Sequence, residues 1–282
     1  VRYCLKVEQS QRDRNYPRSA IRELLPKLLD QYKLLGKSLG NREADDSWVE
    51  HLAETIYGGD RVQATETVAA AIAEGFAPEA IGEAISHASN LMTIRDPGRR
   101  KEWSNAQKPV GSTHGDSVGV HASDSANAWR HIVRVSNHRN AVASLIVGAF
   151  HTAGQSERMI PTRFTYDEQL ETVQSTDAKE LLGLTEEAIK GNDQAMACAV
   201  AQRYTEQGHD VQPFFDLMLK YAISEDGALH AEKYFQTVTE EYATTRPTLR
   251  GKQLVALARV TASEHGYPAP GIAEAREMLK LA

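Results

Sequence analysis

The sequence is short of the residues that would announce its chemistry. It holds two cysteines in 282 residues, Cys4 and Cys198, and neither sits in a CxxC or a His-spaced zinc pattern. That excludes a disulfide framework and a thiolate zinc site. Cys198 lies in AMACAVA, where a small buried hydrophobe is the expected reading rather than a nucleophile. Long apolar runs are missing too. The richest, Ala141 to Phe150, is ten residues, about half of what a bilayer requires, so no membrane partner is expected. No secretory leader is visible, and the chain starts at Val1 rather than Met, as a fragment or processed product would. The cytoplasm is the favoured compartment. There is no HExxH, no P-loop, no GxSxG elbow and no strand leading into a Gly-rich dinucleotide loop. A basic excess is also absent: net charge is −6 with the cations scattered, which argues against nucleic acid. The tightest basic group, Arg95, Arg99, Arg100 and Lys101, surrounds Asp96-Pro97-Gly98 and reads as a solvated turn.

Sustained alternation flanked by hairpin turns is lacking as well, whereas apolar residues recur at three- and four-residue steps throughout. The chain therefore reads as all-α, a multi-helix domain with no significant sheet. Ser19 to Leu35 puts Ile21, Leu24, Leu25, Leu28, Leu29 and Tyr32 on one stripe, with Pro26 expected to kink or split it and Gly36 as a stop. Ser47 is the expected N-cap of the next helix, with Glu50 as capping-box acid. Asp60 caps a third that stops at Gly75, and Pro78 opens a fourth. Periodicity is lost from Thr93 to Ser117, a loop long enough to suggest a functional lid. Helices resume over Val120 to Ser136 and Asn140 to Thr152, and Ala153 to Thr165 is irregular again.

The C-terminal half then repeats the first. Asp193 caps QAMACAVAQRYTEQ, which stops at Gly208, fifteen residues on, the same interval as from Asp60 to Gly75. The phrase around His230 resembles the one around His121. The offset between halves is 133 residues before the long loop and 109 after it, which makes the loop an insertion in the first copy. The expected organisation is an N-terminal helical arm, 1–46, followed by a duplicated domain, 47–282. Its first half is 47–153, carrying the loop 93–117, and its second is 177–282. Two such halves pack their apolar faces around a pseudo-twofold axis, where equivalent side chains converge.

Half of the ten histidines fall between Pro109 and Gln155. His121 and Asp124 share a helical face, as do Asp226 and His230 in the second copy. His151 shares a face with Ser144 and Gly148, small residues that admit a neighbouring helix. His114 stands in the Gly-rich loop before His121. Imidazoles and carboxylates supplied by several helices are the ligand set of iron, zinc or manganese in a bundle. The expected metal ligands are accordingly His114, His121, His151 and His230, with Asp124 or Asp226 completing or orienting the shell. His131 and His138 sit among arginines and read as polar-network residues. His51, His87, His209 and His265 read as structural. GSTHGDSVG offers backbone amides for an anion at the following helix start, though glycine and serine there also serve turns.

The phrase GFAPEAIGEAISHAS resembles the helix-opening phrase of carboxymuconolactone-decarboxylase-like helical proteins, whose CxxC redox pair is absent here. A His-lined all-helical cavity is similar in outline to questin-oxidase-like non-haem iron oxygenases. The function expected from the sequence is a metal-dependent enzyme, most plausibly a non-haem-iron-type oxidoreductase acting on a small organic substrate, with a divalent transition metal as cofactor, iron before zinc. A homo-oligomer is compatible with it. The alternatives are a non-catalytic helical-repeat scaffold and a zinc-assisted hydrolase.

Overall fold

The apolar stripes become helices, and among the described residues there is no strand. The computed structural model describes residues 2–14, 19–114, 117–156, 162–227, 229–268 and 271–280. Its α-helices run in the order α1 (Arg2–Asp13), α2 (Ile21–Gln31), α3 (Asp46–Gly58), α4 (Arg61–Ala73), α5 (Pro78–Arg95), α6 (Val118–Val135) and α7 (His138–Ser156). They continue with α8 (Asp167–Thr172), α9 (Ala178–Lys190), α10 (Gln194–Glu206), α11 (Gln212–Ala222), α12 (Leu229–Thr244), α13 (Pro247–Glu264) and α14 (Ile272–Leu279). No helix of the described residues is long and apolar enough to cross a membrane.

Local chemistry places most boundaries. Asp60 accepts from the Gln63 amide at 2.8 Å and Asp193 from the Met196 amide at 2.9 Å, satisfying donors that a helix start leaves open. Pro78 sits in the first turn of α5, where its missing N–H costs nothing. Two expectations are corrected. The cap of α3 is Asp45, which accepts from the Trp48 amide at 2.7 Å, while Ser47 donates to that same carboxylate. A carboxylate at the positive end of a helix outcompetes a neutral hydroxyl. Pro26 does not split α2, which runs through it to Gln31. The helix ends instead where Lys33 turns left-handed, and a single 3-10 turn, Leu34–Gly36, follows.

Apolar side chains gather in two cores. The first joins Leu24, Leu28, Val49, Ile56, Val68, Ile85 and Leu145 from α2 to α7. Leu24 and Leu28 pack α2 into this core. The second core gathers Leu181, Val200, Phe214, Met218, Val238 and Leu257 from α9 to α13. Each core borrows from the other half: Ile94 and Val120 enter the second, and Leu249 enters the first. The most central element is α5, buried without a break from Ala80 to Ile94.

A helix buried all round is normally apolar all round, yet α5 is not. It carries Glu83, Ser86, Asn90 and Thr93 inside the protein. Those four, at steps of three and four, share one face, and that face meets the second half.

Candidate functional site

The polar side chains on that face of α5 find partners on other helices, as burial demands, with Asn90 Oδ1 the exception. The Glu83 carboxylate takes the backbone amide of Arg246 at 2.6 Å and its guanidinium at 3.0 and 3.1 Å. Ser86 and Arg130 both donate to the buried carboxylate of Glu241. Asn90 donates to Gln253 at 3.1 Å. The Thr93 and Ser123 hydroxyls lie 3.4 Å apart. At the end of the helix Arg259 donates to the carbonyl oxygens of Thr93, Ile94 and Asp96. The halves are thus joined by a line of directional bonds, which set one register where an apolar seam would tolerate sliding.

Glycine brings α6 close to this line. A Cβ on Gly119 would stand 2.6 Å from the Thr93 backbone, so only glycine permits the α5–α6 crossing at that point. The crossing delivers α6 alongside α12, where polar residues meet in succession. The rings of His121 and His230 stand 5.6 Å apart between centroids and at 89°. Asp124 accepts from Thr237 at 2.7 Å, and its other oxygen lies 2.7 Å from the Lys233 ammonium. Asn127 and His131 both reach Glu240, at 2.6 and 3.0 Å.

The seam opens into a small cleft among α11, α12 and α13. Tyr221, Ser224, Asp226, Tyr234, Glu264 and His265 line it, and its enclosed part is about 10 Å³, room for roughly one water molecule. Tyr234 forms the floor. Burial pushes its hydroxyl above the usual phenol range, beside those of Thr93 and Ser123. Burial and the nearby Glu186 carboxylate push Tyr221 up to about 12. On one wall the Asp226 carboxylate accepts from the Gly266 amide at 2.8 Å and lies 3.6 Å from Nδ1 of His265. Glu264 also lines the cleft, and its carboxylate lies 3.8 Å from Nδ1 of His114, both side chains only 5% exposed. Gly227 leaves the space that this carboxylate needs: a Cβ there would be 2.6 Å from Glu264 Oε2.

His114 reaches Glu264 because its loop is tied down. The Arg99 amide donates to Ser112 and the Gly111 amide to Arg99, closing the loop at its base. Gln194 then donates to the Gly111 carbonyl at 2.9 Å, and the Thr113 amide donates to Ser263 Oγ at 2.7 Å. The long segment therefore docks on α10 and α13 of the second half. The suggested anion cradle around GSTHGDSVG falls partly on residues 115–116, outside the described residues.

The expected ligands separate into three places. His121 and His230 meet at the α6–α12 pair. Asp226 lines the cleft, and His114 lies beside Glu264. His151, half-buried on α7, shares a hydrogen bond with Gln155 at 3.1 Å. Asp124 is engaged by Thr237 and Lys233. Among the described residues no three His, Cys, Asp or Glu side chains are placed to hold one metal ion. Sequence reasoning missed Glu264, His265 and Tyr234. Glu264 and His265 end a helix and carry no motif, and Tyr234 reads only as an extension of the face of Asp226 and His230. Cys198 is buried in the second core with its thiol pushed up to about 12 by burial, as a structural hydrophobe. No family model, no curated protein and no solved structure matches this chain.

Proposed function

We propose that the protein is an enzyme that moves protons to and from a small polar organic molecule held at the open mouth of the cleft that Tyr234 lines, the enclosed part taking only about one water. One observation carries this reading: a buried carboxylate that lines the cleft, Glu264, has a buried imidazole, His114, 3.8 Å away. Burying such groups away from water is costly, and carboxylate–imidazole pairs beside a cavity are the usual instruments of general acid–base chemistry. The gap exceeds a direct hydrogen bond and suits a bridging water or substrate oxygen. Asp226 and His265 supply a second pair on the facing wall. In this reading Glu264 is the base, His114 holds and exchanges its proton, and the docked 111–114 segment excludes bulk water.

Deuterium exchange tests this without a known substrate. The protein would be incubated in D2O with a panel of small oxo- and hydroxy-acids, and loss of C–H signals followed by proton NMR. Wild type should label at least one compound, and Glu264→Gln and His114→Ala should each slow that labelling by about 100-fold or more, the usual worth of general acid–base catalysis. Labelling that is equally fast in all three proteins sinks the proposal. A non-catalytic scaffold labels nothing.

A metal-dependent oxidoreductase, with iron or zinc, is a second reading favoured by the His121–His230 contact. It requires a further protein donor to join those two rings. Elemental analysis of tag-free protein tests it, and less than about a tenth of an equivalent of any transition metal counts against it.

We also infer that the halves arose by duplication. In support, α3 to α7 and α9 to α13 follow one another in the same order, and α3, α4, α9 and α10 are all 13 residues long. Three contacts along α6 and α12 join residues at one offset: 230 less 121, 233 less 124 and 240 less 131 are all 109. Equal offsets are what two parallel helices beside a twofold axis produce. Overlaying experimental coordinates of 46–156 on 178–264 tests this, and helices that fail to coincide refute it.

A further inference from the structure

We propose that His121 and His230 form a two-imidazole site for a divalent transition-metal ion, and that this ion clamps the two halves together at one end of the α6–α12 pair. The site is distinct from the cleft and does not depend on its chemistry. Its first support is geometric. A ligating imidazole nitrogen sits about 2.0–2.1 Å from zinc, and the ring centre lies roughly 1 Å behind it. Two rings on one tetrahedral ion therefore place their centroids about 5 Å apart. The observed separation is 5.6 Å, with the rings nearly perpendicular, a spacing that a chelate takes up once the two rings turn their nitrogens to a common point.

The second support is rigidity. His121 is flanked on α6 by Val120 and Ala122, both fully buried, so its backbone is fixed. One turn below, Lys233 of α12 and Thr237 both hold Asp124 of α6, which locks the two helices in register directly beneath the rings. A pair held this way gives up little freedom on binding an ion. The third is access: His121 is exposed and His230 partly so. An ion can enter from solvent and keep water in its remaining positions.

Ligand chemistry names the ion class. Two neutral imidazoles suit zinc, nickel and copper, in the rising order of first-row affinities, and do not suit magnesium or calcium, which take oxygen donors. Both histidines lie in the first turn of their helices, where the positive helix end opposes a cation. The expected affinity is therefore on the order of micromolar, well short of a closed structural zinc site. Since the ligands come from different halves, the ion stabilises their association and raises the melting temperature in proportion to its occupancy.

Calorimetric titration of zinc and nickel chlorides into tag-free protein at neutral pH tests the site, alongside His121→Ala, His230→Ala and His131→Ala. The expected result is one saturable ion per chain and a rise in melting temperature. Binding should weaken at least tenfold in the His121 and His230 variants and remain unchanged in the His131 variant. Helical content by circular dichroism checks that each variant folds. Should His230→Ala fail that check, selective nickel broadening of the His121 and His230 ring signals in wild type supplies the same answer. No saturable binding, equal binding in His121→Ala, or loss of binding in His131→Ala each overturns the proposal. The rings would then be an edge-to-face aromatic contact and nothing more.

Discussion

The guanidinium of Arg259, fully buried on α13, donates to the carbonyl oxygen of Thr93 at 2.7 Å and so closes the C-terminal end of α5 from the other half of the molecule. The carbonyls of Ile94 and Asp96 accept from the same group, and the ring of Phe164 covers it at 3.6 Å. A cation at the negative end of a helix is favoured, and here it replaces the intrahelical donors that the last turn lacks. Burial lowers the guanidinium from its ordinary range, without approaching neutrality at any working pH.

Replacing Arg259 with Met should therefore cost on the order of 3 kcal/mol, because carbonyl oxygens buried against it lose charge-assisted donors. Urea unfolding measures this. A loss below about 1 kcal/mol would show that water or the neighbouring chain supplies the missing donors.

Gly119→Ala should destabilise by about 1–3 kcal/mol, the usual cost of overpacking, since the new Cβ would meet the Thr93 backbone at 2.6 Å. Both contacting groups are backbone in helices, so neither relaxes cheaply. The loss should appear as a lower urea midpoint at unchanged slope, and an unaltered midpoint would mean that α6 slides at no cost.

His87 is 4% exposed on α5, and burial lowers its imidazole from 6.5 to about 4. The unfolded chain therefore takes up a proton between pH 6.5 and 4 that the folded chain refuses, so stability falls as pH drops through that window. Between pH 7 and 5 the loss should be about 2 kcal/mol. The carboxylates of Glu54 and Glu79 are held below their ordinary range by Arg95 and Arg134, and they add losses in the same direction only below about pH 4.5. His87→Gln should flatten the pH 7-to-5 slope, and a slope identical to wild type would assign it to another group.

Ser263→Ala removes the hydroxyl that accepts from the Thr113 amide at 2.7 Å. A lost buried acceptor costs about 1 kcal/mol, and it should be felt locally. Hydrogen exchange at 111–114 should accelerate about fivefold, the rate equivalent of that energy, while α5 and α13 stay protected. Uniform protection throughout would show that Gln194 alone holds the loop.

What the sequence by itself determined is whatever local energies decide. The three-to-four-residue apolar period set helices along the whole chain, and Asp60, Asp193 and Pro78 marked their starts, because a cap or a first-turn proline acts within a few residues of backbone. The histidines of the central stretch were legible as unusual. Only the tertiary structure decided which side chains meet. His114 lies seven residues from His121 in sequence, yet the docked loop carries it to Glu264, 150 residues onward. Asp124, an acidic residue free to serve any ligand when read in sequence, is committed to Lys233 and Thr237. Nothing local to α5 marks Glu83, Ser86, Asn90 and Thr93 as buried. This polar line is buried because the second half brings Arg246, Glu241 and Gln253 to satisfy it. Those partners are chosen by how helices distant in sequence pack, and no residue's immediate neighbours encode that choice.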